Sequence, residues 1–224
     1  MTDRKKFIAY VGPMAVFMGL LLLNSALKSL KGGFWLSSAE YWIYPAQTIL
    51  CGGVVVWFWR EYRLHRPLGL WFGLAIGVIV FFLWIAPQAF FGLPARVDGF
   101  DPSPFAAQPA LYWSTVGFRF LRLVVVVPLV EEIFWRGFLL RYLINEDFDR
   151  VAFGAFSWLS FAVVTLAFAF SHSRADWPAA VLCGVLYNMV AYRTKSLTTC
   201  VITHAVTNLL LGLWIMRTGQ WGFW

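Results

Sequence analysis

The chain has 224 residues, is 60% hydrophobic and only 13% charged, and carries a formal charge of +7. A water-soluble domain of this length still shows much of its surface to solvent, so such a composition excludes one and makes lipid the solvent. The positive excess calls for no nucleic acid, because no basic stripe interleaved with aromatics is present and orientation against anionic headgroups accounts for it.

Apolar runs long enough to cross a bilayer, roughly 17–25 residues, recur at 8–29, 41–59, 68–91, 113–130 with an extension to about 145, 151–171, 177–192 and 197–216. They lack the alternation of a barrel and satisfy their backbone groups as helices. The expected fold is all-α, a polytopic transmembrane helix bundle of about seven spans with room for an eighth. The first run follows Arg4, Lys5 and Lys6 as a signal peptide would, but it is long and has no small-residue cleavage pattern, so it reads as a retained anchor. Alternation places Arg4, Lys5, Lys6, Arg60, Arg63, Arg66, Arg141, Arg150, Arg193 and Lys195 on one side, against Lys28, Lys31, Arg96, Arg174 and Arg217 on the other. That bias predicts an inner-membrane protein with its N-terminus in the cytoplasm.

The connection 92–109 holds Pro94, Asp98, Gly99, Asp101, Pro102, Pro104 and Pro109 and reads as an irregular loop. It divides the chain into N-terminal helices and outer loop at 1–112, a helix bundle at 113–217 that carries the ionisable groups, and a short tail at 218–224. Cys51, Cys183 and Cys200 match no metal or disulfide spacing and read as small core residues.

Ionisable groups at membrane depth are costly and usually functional. In VVVVPLVEEIFWRGFLLRYL, Glu131 and Glu132 stand midway between Arg122 and Arg141. Glu132 and Arg136 are one turn apart and can pair, whereas Glu131 points elsewhere with no cation on its own turn. The asymmetry assigns Glu132 a structural role and leaves Glu131 as a general base. Pro128 removes a backbone donor, which frees a carbonyl and kinks or widens the helix beside the acids, as a simple packing kink also would. Phe168 and His172 share a face near the end of the fifth span, and His204 and Asn208 share one within the seventh. Seen alone, the first pair fits an interfacial histidine better than a catalyst, and the second equally fits interhelical glue. Together, two acids, an Arg, two His and an Asn supply a base, a group to orient it and donors for an oxyanion, a set suited to amide hydrolysis.

Three motifs, EEIFWRG at 131–137, Phe168 to His172, and YRTKSLTTCVITHAVTN at 192–208, resemble in order and spacing the E-E-x-x-x-R, F-x-x-x-H and H-x-x-x-N of the CPBP family of intramembrane proteases, which includes the type II CAAX prenyl endopeptidases. The resemblance covers roughly 113–212, and the layout looks most like bacterial CAAX protease-related proteins that accompany exosortase systems. It implies an endopeptidase in which Glu131 and His172 activate water, His204 and Asn208 stabilise the oxyanion and Arg136 holds Glu132. The expected partners are the lipid bilayer and a membrane-associated peptide or protein substrate. No cofactor is expected: two His and a Glu could hold Zn²⁺ with one position open, but no H-E-x-x-H is present and Asn is a poor zinc ligand. Lys195 occupies a turn position that is commonly glycine in relatives.

Competing readings are a transporter or proton relay, against which the lack of an internal repeat counts, a non-catalytic membrane scaffold, and a cysteine transpeptidase using Cys200 one turn from His204. Upright helices would hold His172 and His204 apart by roughly 10 Å or more, judged from about 1.5 Å of rise per residue. A shared site therefore requires tilted, short or broken helices, and the sixth span, 177–192, is the short one.

Overall fold

The computed structural model describes residues 4–30, 32–94, 96 and 99–224; Lys31 and Asp98, named above, lie outside them. Helices dominate, and the described residues contain no strand. They run as α1 (Arg4–Ser29), α2 (Glu40–Trp57), α3 (Leu70–Ala89), a composite rod α4, α5 (Trp158–Phe170), α6 (Trp177–Thr194) and α7 (Leu197–Thr218). By length and composition α1, α3 and α7 can cross a membrane, and α5 is apolar but shorter. Large apolar side chains face outward along the bundle, Trp57, Trp71 and Trp158 among them, as expected of lipid-facing surface.

The rod α4 begins at Pro109, where proline's missing N–H costs nothing in the first turn. It passes without interruption through an α segment (Pro109–Leu121), a π segment (Arg122–Val126), an α segment (Val127–Glu132), a second π segment (Ile133–Leu139) and a last α turn (Leu140–Tyr142). The two acids therefore sit between two widened turns, with Pro128 just after the first.

Two expected spans have different limits. The run 151–171 is helical only from Trp158, because Gly154 adopts a left-handed φ of 73°. A Cβ there would stand 2.5 Å from the Ala191 carbonyl, so the chain turns tightly against α6. The run 177–192 continues to Thr194 and ends where Lys195 itself takes φ 55°. Lys195 donates its backbone N–H to Ala191 O at 3.0 Å and its Nζ to Gly154 O at 2.6 Å, which ties the glycine turn to the helix end. The short helix is α5, with 13 residues, while α6 has 18.

Ion pairs other than the buried Glu132 cluster gather toward the two ends of the bundle. At one end Lys5 pairs with Glu61, and Asp149 receives Lys6 at 2.6 Å and Arg63 at 2.9 Å. At the other, Lys28 pairs with Glu40 at 3.2 Å, Arg96 with Asp176, and the Tyr41 hydroxyl donates to Asp101 O at 2.5 Å. Between the ends, α3 and α7 make the most extensive helix pairing. Gly73 and Gly77 let them approach: a Cβ on Gly77 would lie 2.7 Å from the Thr203 carbonyl. Small residues of this kind are what permit close packing in lipid, and the Thr207 hydroxyl donates to Gly77 O at 2.8 Å across the seam.

Candidate active site

Glu132 and Arg136, one turn apart on α4, are both fully buried and paired at 3.0 Å, as their spacing predicts. The same carboxylate oxygen, Oε1, accepts from His204 Nδ1 on α7 at 2.9 Å. Arg136 Nε donates to Asn188 Oδ1 on α6 at 3.1 Å, and Asn188 Nδ2 donates to Thr165 Oγ1 on α5 at 3.1 Å. The guanidinium lies over the rings of Phe168 and Tyr187, at 5.0 and 5.3 Å, so the faces that no hydrogen bond can use meet aromatic electrons. One polar relay thus joins four helices and fixes the histidine. A carboxylate takes a hydrogen bond only from a protonated nitrogen, so Nδ1 of His204 carries a proton and Nε2 remains available.

In front of this relay is a cavity of about 570 Å³ lined by Glu131, His172, His204 and Asn208, together with Trp84 and Arg122. It brings the two histidines to one site, because α5 stops early at Phe170 and His172 follows it on a turn. His172 Nδ1 donates to Phe168 O at 2.8 Å, and its ring lies 4.8 Å from that of Phe168 and 5.4 Å from that of Trp84. The F-x-x-x-H spacing has a physical cause: the phenylalanine supplies the carbonyl that sets the tautomer and a ring that sets the plane. Nε2 is left with its lone pair. Glu131 keeps Oε2 buried with no hydrogen-bond partner, as Glu132 does, but only Glu132 has an oxygen, Oε1, that accepts from Arg136 and His204.

Asn208 donates Nδ2 to Leu123 O at 2.8 Å. Leu123 stands five residues ahead of Pro128, the spacing of a π turn, and proline has no N–H to offer that carbonyl. The freed acceptor expected from Pro128 is therefore Leu123 O, and α7 supplies its donor. A carboxamide has two N–H groups, so one remains beyond this bond.

Sequence reasoning missed Asn188 and Thr165, which carry no charge and belong to no motif. It also missed Arg122, which lines the same cavity as Glu131. Cys200 is buried and does not line the cavity, whereas Cys183 does. A cysteine transpeptidase would have no Cys200 nucleophile there. Among the described residues no three His, Cys, Asp or Glu side chains gather in a metal-binding arrangement, and the His204 nitrogen nearest Glu132 is already committed to it.

Residues 112–210 match the family model described as Type II CAAX prenyl endopeptidase Rce1-like, the family that the three motifs resemble. No curated protein matches the chain, and no solved structure does.

Proposed function

From the match of residues 112–210 to the Rce1-like endopeptidases, we propose that this protein is an intramembrane endopeptidase that hydrolyses a peptide bond of a membrane-associated protein or peptide. The observation that carries the reading is the cavity in which Glu131, its Oε2 without a hydrogen-bond partner, lines the same space as two histidines with fixed Nδ1 partners. A water held by His172 Nε2 gives a proton to Glu131 as its oxygen attacks the substrate carbonyl. The negative charge that develops on the substrate's carbonyl oxygen is met by the second Asn208 N–H and by His204 Nε2–H when the ring carries both protons. Glu131 then returns its proton to the leaving nitrogen as the C–N bond breaks. No metal enters this scheme. The bilayer orientation that suits it is an inner-membrane one with the Asp149 end in the cytoplasm, as the Lys and Arg bias favours.

The test is cleavage of membrane-anchored peptides by purified protein, read by mass spectrometry with and without a chelator. Wild type cleaves and is indifferent to the chelator, while Glu131→Ala and His172→Ala each lose about 10²–10⁴-fold, the usual worth of a positioned acid or base. Equal cleavage by all three proteins overturns the assigned site, and loss on chelation overturns the metal-free scheme.

A further inference from the structure

Arg119 and Arg122 leave α4 three positions apart, are 5% and 6% exposed, and line the cavity that holds Glu131. Like charges at this spacing repel, and a charge at membrane depth is costly until it is paired. Among the described residues no carboxylate pairs with Arg119. Its Nε and Nη1 are buried without a hydrogen-bond partner. Its surroundings are the rings of Tyr44 at 5.0 Å, Phe100 at 5.1 Å and Trp224 at 5.9 Å, with the Tyr44 hydroxyl as a single neutral side-chain acceptor. Arg122 gives Nε to Gln47 Oε1 at 2.6 Å and lies 4.3 Å over Tyr44. Aromatic faces stabilise a cation but accept none of its in-plane N–H groups well. What satisfies a guanidinium fork is a planar or tetrahedral oxyanion bound through two oxygens.

We propose that Arg119 and Arg122 form an anion subsite of the catalytic cavity that takes a carboxylate of the peptide substrate and sets which bond lies at Glu131. The proposal rests on the endopeptidase reading, since a ligand that enters this cavity to be hydrolysed is a peptide, and the oxyanion a peptide carries is a carboxylate. The two arginines precede Glu131 by nine and twelve positions, about 13 and 18 Å along the rod at 1.5 Å per residue. The bound anion is therefore an anchor and does not react.

Binding separates this proposal from catalysis. N-lauroyl-Gly-Ala-Leu is titrated as the free acid and as its C-terminal amide into the detergent-purified protein, with the fluorescence of the cavity tryptophans and the melting temperature as readouts. Dihexanoyl phosphatidic acid serves as a lipid competitor. The acid binds saturably and at least about tenfold more tightly than the amide, because a hydrogen bond to a charged group is worth at least that much. The preference is the same in Glu131→Gln, so it survives even if cleavage is never observed. It disappears in Arg119→Gln and is partly kept in Arg119→Lys. The wild-type comparison needs no variant to fold. Equal or absent binding of acid and amide overturns the proposal, and so does tight binding of the phosphatidic acid alone, which assigns the pair to a lipid headgroup.

Discussion

Adjacent in sequence, Glu131 and Glu132 meet opposite surroundings because successive helical positions differ by about 100°. Glu132 gives Oε1 to an arginine and a histidine inside protein, while Glu131 lines the cavity. The two acids should therefore respond to the same substitution in opposite ways. Glu132→Gln leaves a buried Arg136 with only Asn188 as its polar partner and takes the orienting carboxylate from His204. Breaking a buried pair in this manner costs about 3–5 kcal/mol, so the melting temperature in detergent falls steeply and activity falls with it. Glu131→Gln removes no hydrogen bond, and its melting temperature stays near that of wild type while peptide cleavage is lost. If both variants melted together, the division of labour between the acids would be wrong. The spacing of Glu132 and Arg136 made their pairing legible in advance; the third partner, His204, was legible only as a residue type, because its rotation toward Glu132 depends on how α7 packs.

That packing belongs to the elements. α7 carries both His204 and Asn208, and its position is set by close approach to α3 at Gly73 and Gly77 and by the Asn208 bond to a carbonyl that a π turn and Pro128 leave open. Widened turns on α4 and small residues on α3 thus serve one end, holding α7 where its two polar side chains reach the cavity. Pro128 announced a freed carbonyl, but its donor lies 85 residues from Leu123, and no local pattern could name it. The glycines at 73 and 77, one turn apart, were visible as letters and gained meaning only once α7 was seen against them. Gly77→Ala would place a methyl group 2.7 Å from the Thr203 carbonyl, so the backbones must separate. Overpacking of this sort costs about 1–3 kcal/mol, and here it displaces the residue next to His204. The expected result is a folded protein with a lowered melting temperature and a cleavage rate reduced more than its stability implies. A variant with wild-type activity would show that the seam does not position the site.

At the scale of the molecule, although among the described residues only α1, α3 and α7 are long and apolar enough to cross lipid, each of the seven apolar runs holds a helix. Their limits escaped at Gly154 and Lys195, where left-handed backbone angles, not hydropathy, end or delay a helix. The charge bias along the sequence also anticipated that the start of α1 and the 57–69 and 143–157 connections share one end, and Asp149 is where they meet. It accepts from Lys6 on α1 and from Arg63 after α2, and Arg141 at the end of α4 acts on it as well. The Lys6 hydrogen bond, aided by the positive charge of Arg63, outweighs partial burial and holds the Asp149 carboxyl below its ordinary value of 3.8. A depressed folded-state value means that the ionised form stabilises the fold, fully so above the unfolded value, and that this contribution fades as pH falls through the lower folded one. Asp149→Asn should therefore melt below wild type at neutral pH, with a gap that closes only as the pH is taken under 3.8. Added salt should narrow the same gap at neutral pH, because the group is partly exposed and screening reaches it. Melting curves of the two proteins across pH 3 to pH 7 decide the matter: a gap that stays constant, or that widens in acid, would mean that Asp149 does not join the three connections through its charge.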